Sequence, residues 1–241
     1  MDPATVRTLM ATVELIASTL DRAPDSWQDH LQAIRNITAS LELLDSAPDP
    51  TRLEWQLPLI TVFQRVSYAD ADAGGVPDIA NWCLRQALTL LQVYPDNVDL
   101  QALIGQNWLL RAQKSLAKIY LAERDSSSSG ASVGLTLSLS EEQRQIRRAA
   151  LEAEDRLNSA DYVEARGILL PAIDYLQRAV TTARAQGLLS GFLLSTAAEA
   201  YMSLGNVSSQ RVNGRYFHEA LEYLCAATEI PNYTLPTHLQ Q

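Results

Sequence analysis

The side chains that could do acid–base, nucleophilic or metal chemistry are few and scattered along this sequence. There are three histidines, His30, His218 and His238, and two cysteines, Cys83 and Cys225. None of the spacings His-Glu-x2-His, Cys-x2-Cys or His-x3-His, which bring metal ligands together, occurs. A P-loop and a Gly-x-Gly-x2-Gly phosphate loop are also missing from the sequence. The sequence therefore predicts a protein that is not an enzyme and that carries no cofactor and no metal.

Both cysteines fall inside apolar helical stretches, so we expect two buried, reduced thiols, with a disulfide or a reactive thiol as the alternative. The aspartates Asp70 and Asp72 precede a Gly-Gly pair, as in a fragment of a calcium loop. The glycine and the distal glutamate do not fall at EF-hand positions, so calcium is not expected.

A small basic group on one helical stretch, Arg144, Arg147 and Arg148, is the densest positive cluster. The alternation of charges around it predicts a solvated face. Phosphopeptide binding in the manner of 14-3-3 proteins is the alternative, because those proteins are also acidic, all-helical chains of similar length. The sequence motifs characteristic of 14-3-3 proteins do not occur here.

The bulk composition limits the possible partners. The 241 residues carry a formal net charge of −9, and 47% of them are hydrophobic, enough for a sizeable core. An acidic chain is repelled by phosphate backbones and anionic lipid, so neither nucleic acid nor a membrane is an expected partner. The sequence opens without a secretory signal and contains no bilayer-length apolar run, which predicts a cytoplasmic or nuclear location.

Apolar residues recur at helical spacing along the chain, and no segment shows the alternation of a strand. We expect an all-α fold of about eight or nine antiparallel helices in one domain spanning residues 1–241. Pro58 and Pro171 fall inside helical patterns and predict kinks or interruptions, whereas Asp78 is expected to cap a helix. The Ser-rich segment 125–139 is predicted to be a disordered insert, and residues 231–241 to be an irregular tail.

A repeated pattern, Ala-x3-Leu-x2-Ala, places two small residues and one large residue on the same helical face. Such a face allows two helices to approach closely. The pattern predicts helix packing at two sites in the C-terminal half of the chain, Ala165-Leu169-Ala172 and Ala220-Leu224-Ala227, and it also occurs at Ala80-Leu84-Ala87.

Residues 193–231 resemble a tetratricopeptide repeat. Tyr201 stands where that family has its tyrosine, Gly205 where it has the turn glycine, and Pro231 close to the closing proline. Residues 161–179 resemble the second helix of such a repeat in part. The resemblance implies a right-handed superhelical array of helical hairpins, although the connection 206–215 is longer than the family's turn.

Tetratricopeptide arrays commonly bind peptides in a concave groove, and the resemblance implies that Ser195, Glu199 and Met202 would line it here. A glutamate repels a carboxylate, so the chaperone-tail clamp of some family members is not expected. The sequence predicts a non-catalytic scaffold or adaptor for an unidentified protein partner. An obligate subunit or homodimer of a larger complex, and a small-ligand-binding or enzymatic helical bundle, are the alternatives.

Overall fold

The fold was obtained as a computed structural model, and the structure describes residues 2–42, 52–128 and 139–240. Those residues contain nine α-helices and two short 3-10 helices, and no strand, which confirms the all-α class. The α-helices are α1 (Pro3–Arg22), α2 (Leu31–Glu42), α3 (Arg52–Ser67), α4 (Pro77–Val93), α5 (Val98–Ser128), α6 (Leu139–Leu157), α7 (Ala160–Gln186), α8 (Gly191–Asn206) and α9 (Asn213–Thr228). The 3-10 helices span Pro24–His30 and Thr237–Leu239.

The longest helices, α5 and α7, form the most extensive helix pair. They run antiparallel, because Glu123 near the end of α5 bonds to Tyr162 at the start of α7, while Gln186 at the end of α7 donates to the carbonyl of Asp96 before α5. Further packed pairs are α3 with α4, α4 with α5, α7 with α8, and α8 with α9. The superhelical repeat arrangement stays a prediction.

Two hydrophobic cores lie along the chain. The N-terminal core joins α1, α3, α4 and the first turns of α5 around large side chains such as Phe63 and Trp82. The C-terminal core joins α5, α7, α8 and α9 and is rich in alanine. Trp108 packs against both cores, so α5 connects them.

Two prolines lie inside helices; the interruption predicted at Pro58 is wrong, and the kinks predicted at Pro58 and Pro171 stay predictions. Pro58 lies inside α3 and Pro171 inside α7, and each helix continues through its proline. Proline removes only one backbone donor, and side-chain packing on either side of it can hold the helix together. Asp78 does not cap α4; Val76 holds the cap position, and Asp78 instead pairs with Arg35 of α2 at 2.7 Å. This ion pair holds the pKa of Asp78 below its usual value.

Two segment boundaries differ from those predicted. Helix α5 runs to Ser128 and α6 begins at Leu139, so residues 125–128 and 139 of the expected insert are helical, and 129–138 lie outside the described residues. The connection between α8 and α9 covers only 207–212, shorter than the predicted 206–215. The tail contains a 3-10 helix, and its Leu239 is buried.

Candidate functional site

An open cleft of about 830 Å³ lies where the two cores meet. Its walls come from α3, from the start of α5 with the turn before it, from α7, and from the first turns of α8 with the connection that precedes them. The side chains that line it are Leu57, Pro58, Thr61, Val62, Asp96, Asn97, Val98, Asp99, Ala102, Leu103, Gln106, Leu176, Gln186, Leu188, Ser190, Phe192, Leu193 and Thr196.

Buried amide groups join α3 to α5, two of the helices that line the cleft. Gln64 on α3 donates from its Nε2 to the carbonyl of Leu103 on α5 at 3.1 Å. Asn107 on α5 donates from its Nδ2 to Gln64 Oε1 at 2.8 Å. Buried amides are retained only when bonded, and here each bond joins α3 to α5. The two helices are therefore fixed relative to one another beneath the cleft.

A close approach of helices fixes the other side of the base. A Cβ atom placed on Gly105 of α5 would lie 2.6 Å from Leu176 Cγ of α7, so only glycine fits between them. Leu176 itself lines the cleft. This contact leaves the base with little freedom to move, because packed interiors deform poorly.

The rim of the cleft is positioned by caps. Asn97 Oδ1 accepts from the backbone N–H of Leu100 at 2.8 Å, which caps α5. Ser190 Oγ accepts from the backbone N–H of Leu193 at 3.2 Å, which caps α8. Asp96 and Asp99, at the start of α5, and Leu188 and Phe192, around the start of α8, all line the cleft.

The apolar side of the rim is unusually accessible. Leu188 is 63% exposed and Phe192 is 62% exposed, although both side chains are large and hydrophobic. A second hollow of about 500 Å³ shares Thr61, Gln106 and Phe192 with the cleft. The second hollow extends the surface along α3 towards Trp27. Together the hollows form a continuous groove with Phe192 at its middle.

The charged groups that line this groove are mostly acidic. Asp25, Asp96 and Asp99 form no ion pair with any residue in the described ranges. Arg65 is the one cation among the lining residues, and its Nη1 lies 2.6 Å from Asp21 Oδ1, which neutralises it. The groove therefore combines exposed apolar surface with unneutralised carboxylates.

The face of α8 predicted to line a groove is covered by the chain's own tail. Ser195 is buried, and its hydroxyl oxygen lies 2.7 Å from that of Tyr233. Glu199 Oε1 lies 2.9 Å from His238 Nε2. Met202 is partly buried against the C-terminal core. These three residues do not border the open cleft, and their role in binding a partner stays a prediction.

The residues predicted to pack between helices lie in or against the C-terminal core. Seven of them are buried, and Leu224 is partly buried against the same core. Tyr201 packs on the rings of Tyr216 and Tyr223, and Gly205 lies against the ring of Phe217. The buried residues are Ala165, Leu169, Ala172, Tyr201, Gly205, Ala220 and Ala227.

Neither of the two cysteines and none of the three histidines lines the cleft. Cys83 is buried, and burial raises the pKa of its thiol, which makes it a poor nucleophile. Cys225 is exposed, so the prediction of two buried thiols is wrong for it. His218 pairs with Glu222 on the surface. In the part of the chain that the structure covers, no three His, Cys, Asp or Glu side chains form a metal-binding group.

One sequence motif was missed by the reasoning on spacing. Residues 130–134 read Gly-Ala-Ser-Val-Gly and match the Gly-x-Ser-x-Gly spacing of a hydrolase nucleophile elbow. That elbow joins a strand to a helix, and the described residues offer no strand to build it on. Residues 130–134 themselves lie outside the described ranges.

No protein-family model, no curated protein and no solved structure matches this chain. The fold class is therefore established by the helices alone, and the tetratricopeptide resemblance remains a prediction. Within the described ranges, no helix combines the length and hydrophobicity needed to cross a membrane.

Proposed function

We propose that this chain is a non-catalytic protein-interaction module whose groove binds a partner segment bearing an apolar anchor and basic residues. The observation that carries the proposal is the open cleft that is lined both by the exposed side chains of Phe192 and Leu188 and by Asp96 and Asp99. Exposed apolar groups gathered in a concave surface are typical of interaction sites.

The charge of the groove supports a basic partner. A lysine or arginine beside the apolar anchor would find Asp96, Asp99 or Asp25 without a competing cation from this chain. Complementary charge at the rim of an interface raises the association rate and rejects acidic competitors. An acidic segment would meet three carboxylates and the net charge of −9, so it would be excluded.

The rigidity of the surface around the groove supports a role in binding a protein partner. The bonded amides and the Gly105 contact hold its base in place, so a ligand would bind to a surface that is largely preformed. Preformed surfaces lose less conformational entropy on binding. Neither cysteine is bridged, which supports the cytoplasmic or nuclear location that we propose with this function.

Selection of peptides from a random display library tests the proposal. We expect enriched peptides that combine a large apolar residue with lysine or arginine. Their affinity should fall at least about tenfold on Phe192→Ser, the scale of losing one buried anchor. Leu15→Ser is the matched control, because Leu15 is 62% exposed on α1 and lies outside the groove lining.

Two results would count against the proposal. The first is enrichment of acidic peptides. The second is an equal loss of affinity for Phe192→Ser and Leu15→Ser, which would place binding outside the groove. Exchange of Asp96 and Asp99 for lysine should reverse the charge preference of the enriched peptides, because the partner's cations would then be repelled.

A further inference from the structure

A hollow separate from the cleft carries the opposite charge. It has a volume of about 360 Å³ and shares no lining residue with the 830 Å³ cleft. Its walls come from α4, α5 and α7, and from Gly74 in the connection before α4. Two cations, Arg111 and Lys114, line it from α5. Their spacing of three residues places both on one face of that helix.

The guanidinium of Arg111 is held in a fixed position. Its Nη2 donates to Asn81 Oδ1 on α4 at 2.7 Å, and its Cζ lies 5.1 Å from the centre of the Trp108 ring. Its Nε is buried and has no hydrogen-bond acceptor among the described residues. A buried donor without an acceptor costs free energy, and a small shift of the side chain on binding would let a ligand oxygen satisfy it.

Lys114 lies over the connection before α4. A Cβ atom on Gly74 would meet the Lys114 side chain, at 2.8 Å from Cδ and 3.4 Å from Nζ. Gly74 also has a φ of 101°, which favours glycine at this position. The glycine therefore leaves room for the lysine to lie across the mouth of the hollow beside Arg111.

Neither cation is neutralised by the protein. Among the described residues, Arg111 and Lys114 form no ion pair with a carboxylate, whereas Lys118 one turn further along α5 pairs with Asp161 at 3.8 Å. Glu164 is the single carboxylate in the lining, and it is not within ion-pair distance of either cation. Two adjacent unpaired cations form a local positive site in a chain of net charge −9.

Neutral donors complete the wall. Tyr68 is buried at the hollow, and its hydroxyl donates to Asn107 Oδ1 at 3.3 Å. Burial raises the pKa of Tyr68, and the neighbouring guanidinium of Arg111 partly opposes that rise. Ser115 is also buried in the lining. The hollow thus places neutral polar side chains beside the two cations.

We propose that this hollow binds the phosphate group of a phosphate monoester, with Arg111 and Lys114 as its charged contacts. A planar guanidinium matches the geometry of phosphate oxygens, and an ammonium adds a second, adaptable charge. The volume accommodates a phosphate and a small attached group. The site requires neither the cleft nor a peptide partner.

Isothermal titration calorimetry tests this site, with inorganic phosphate or O-phosphoserine titrated into the full chain. Acetate and serine are the control ligands. We expect saturable binding of both phosphate compounds and none of acetate or serine. Equal affinity for the two would indicate recognition of the free anion, and tighter binding of O-phosphoserine would indicate an attached phosphate; both results support the site. Absence of saturable phosphate binding, or equal binding of acetate, would overturn it.

Variants locate the binding. Lys114→Gln should weaken phosphate binding about tenfold, the size expected for one charge-assisted contact. Lys118→Gln removes the same charge from the same helix outside the lining and should leave the affinity unchanged. Glu164→Gln should tighten binding, because it removes the only lining carboxylate. Equal weakening by Lys114→Gln and Lys118→Gln would show non-specific attraction and overturn the proposal.

Discussion

Two neighbouring faces of α8 differ in what covers them. Gly191, Ser195 and Glu199 contact the C-terminal tail through Tyr233 and His238. Phe192 and Thr196, each one residue further along, line the open cleft. The hydroxyl of Ser195 is satisfied within the chain, whereas the ring of Phe192 remains 62% exposed.

The difference shows that a helix face with small residues is not necessarily open to a partner, because another part of the same chain can cover it. Gly191 is small because the Tyr233 ring lies against it, so the face that sequence similarity suggested for a partner is used for intramolecular packing. The neighbouring face, one residue further round the helix, carries Phe192, whose ring is largely exposed and lines the cleft.

The largest expected effect concerns the close contact between α5 and α7 next to the cleft. Gly105→Ala should lower the free energy of unfolding by about 1–3 kcal/mol, because the added Cβ meets Leu176 between α5 and α7. Gly167→Ala in α7 is the matched control, since no atom lies within 4 Å of its added Cβ. The control should stabilise by up to about 1 kcal/mol through helix propensity. Urea denaturation measures the free energy of unfolding of both variants. Equal values for Gly105→Ala and Gly167→Ala would contradict the close approach of α5 and α7.

The covered face should open when its glycine is enlarged. Gly191→Ala places a methyl group in the Tyr233 ring, so the tail should leave α8 at a cost of about 1–2 kcal/mol, less than in a closed core. Chymotrypsin should then cut after Tyr233 or Leu239 faster than in the unmodified chain. Gly214→Ala in α9 has open space around its Cβ and should leave the cutting rate unchanged.

A smaller effect is expected from the hydroxyl pair that joins the tail to α8. Tyr233→Phe removes the bond to Ser195 and should cost about 1 kcal/mol. Tyr120→Phe removes a hydroxyl from a residue that is 64% exposed, so its effect should be close to zero. Thermal denaturation of the two variants compares them; a null result for Tyr233→Phe would mean that the tail is held by its apolar contacts alone.

The smallest effect on stability is expected at the open face. Phe192→Ser should change the free energy of unfolding by less than about 0.5 kcal/mol, because an exposed side chain loses little packing. A loss of stability above that range in urea denaturation would show that Phe192 is part of the core. A small change for Phe192→Ser beside a larger loss for Gly191→Ala would show that, of these two adjacent residues, only Gly191 is needed for stability.

The fold class and the C-terminal core were predictable from the sequence. Helical spacing and the Ala-x3-Leu-x2-Ala pattern depend on neighbours within one helix, and residues such as Ala165 and Ala172 are buried as that pattern requires. The continuation of α3 through Pro58 was less predictable, because the local cost of proline has to be weighed against tertiary packing that the sequence does not display.

The cleft was not predictable by the same reasoning. Leu57, Asp99 and Phe192 are far apart in the sequence and meet only when α3, α5 and α8 pack together. The covering of α8 by the tail was missed because the prolines in residues 231–241 favoured an irregular segment. Tyr233, Leu235 and Leu239 were available as a signal, since apolar residues in a tail often find a surface to cover.

Site-specific photocrosslinking tests the central claim most directly. A benzophenone amino acid at position 192 is compared with the same group at position 15, equally exposed but remote from the groove lining. The crosslinked partner is digested and the attached peptide sequenced. We predict adducts specific to position 192, on a segment with lysine or arginine beside a large apolar residue. Identical adducts at both positions, or an acidic attached segment, would contradict the assignment of the groove as the partner site.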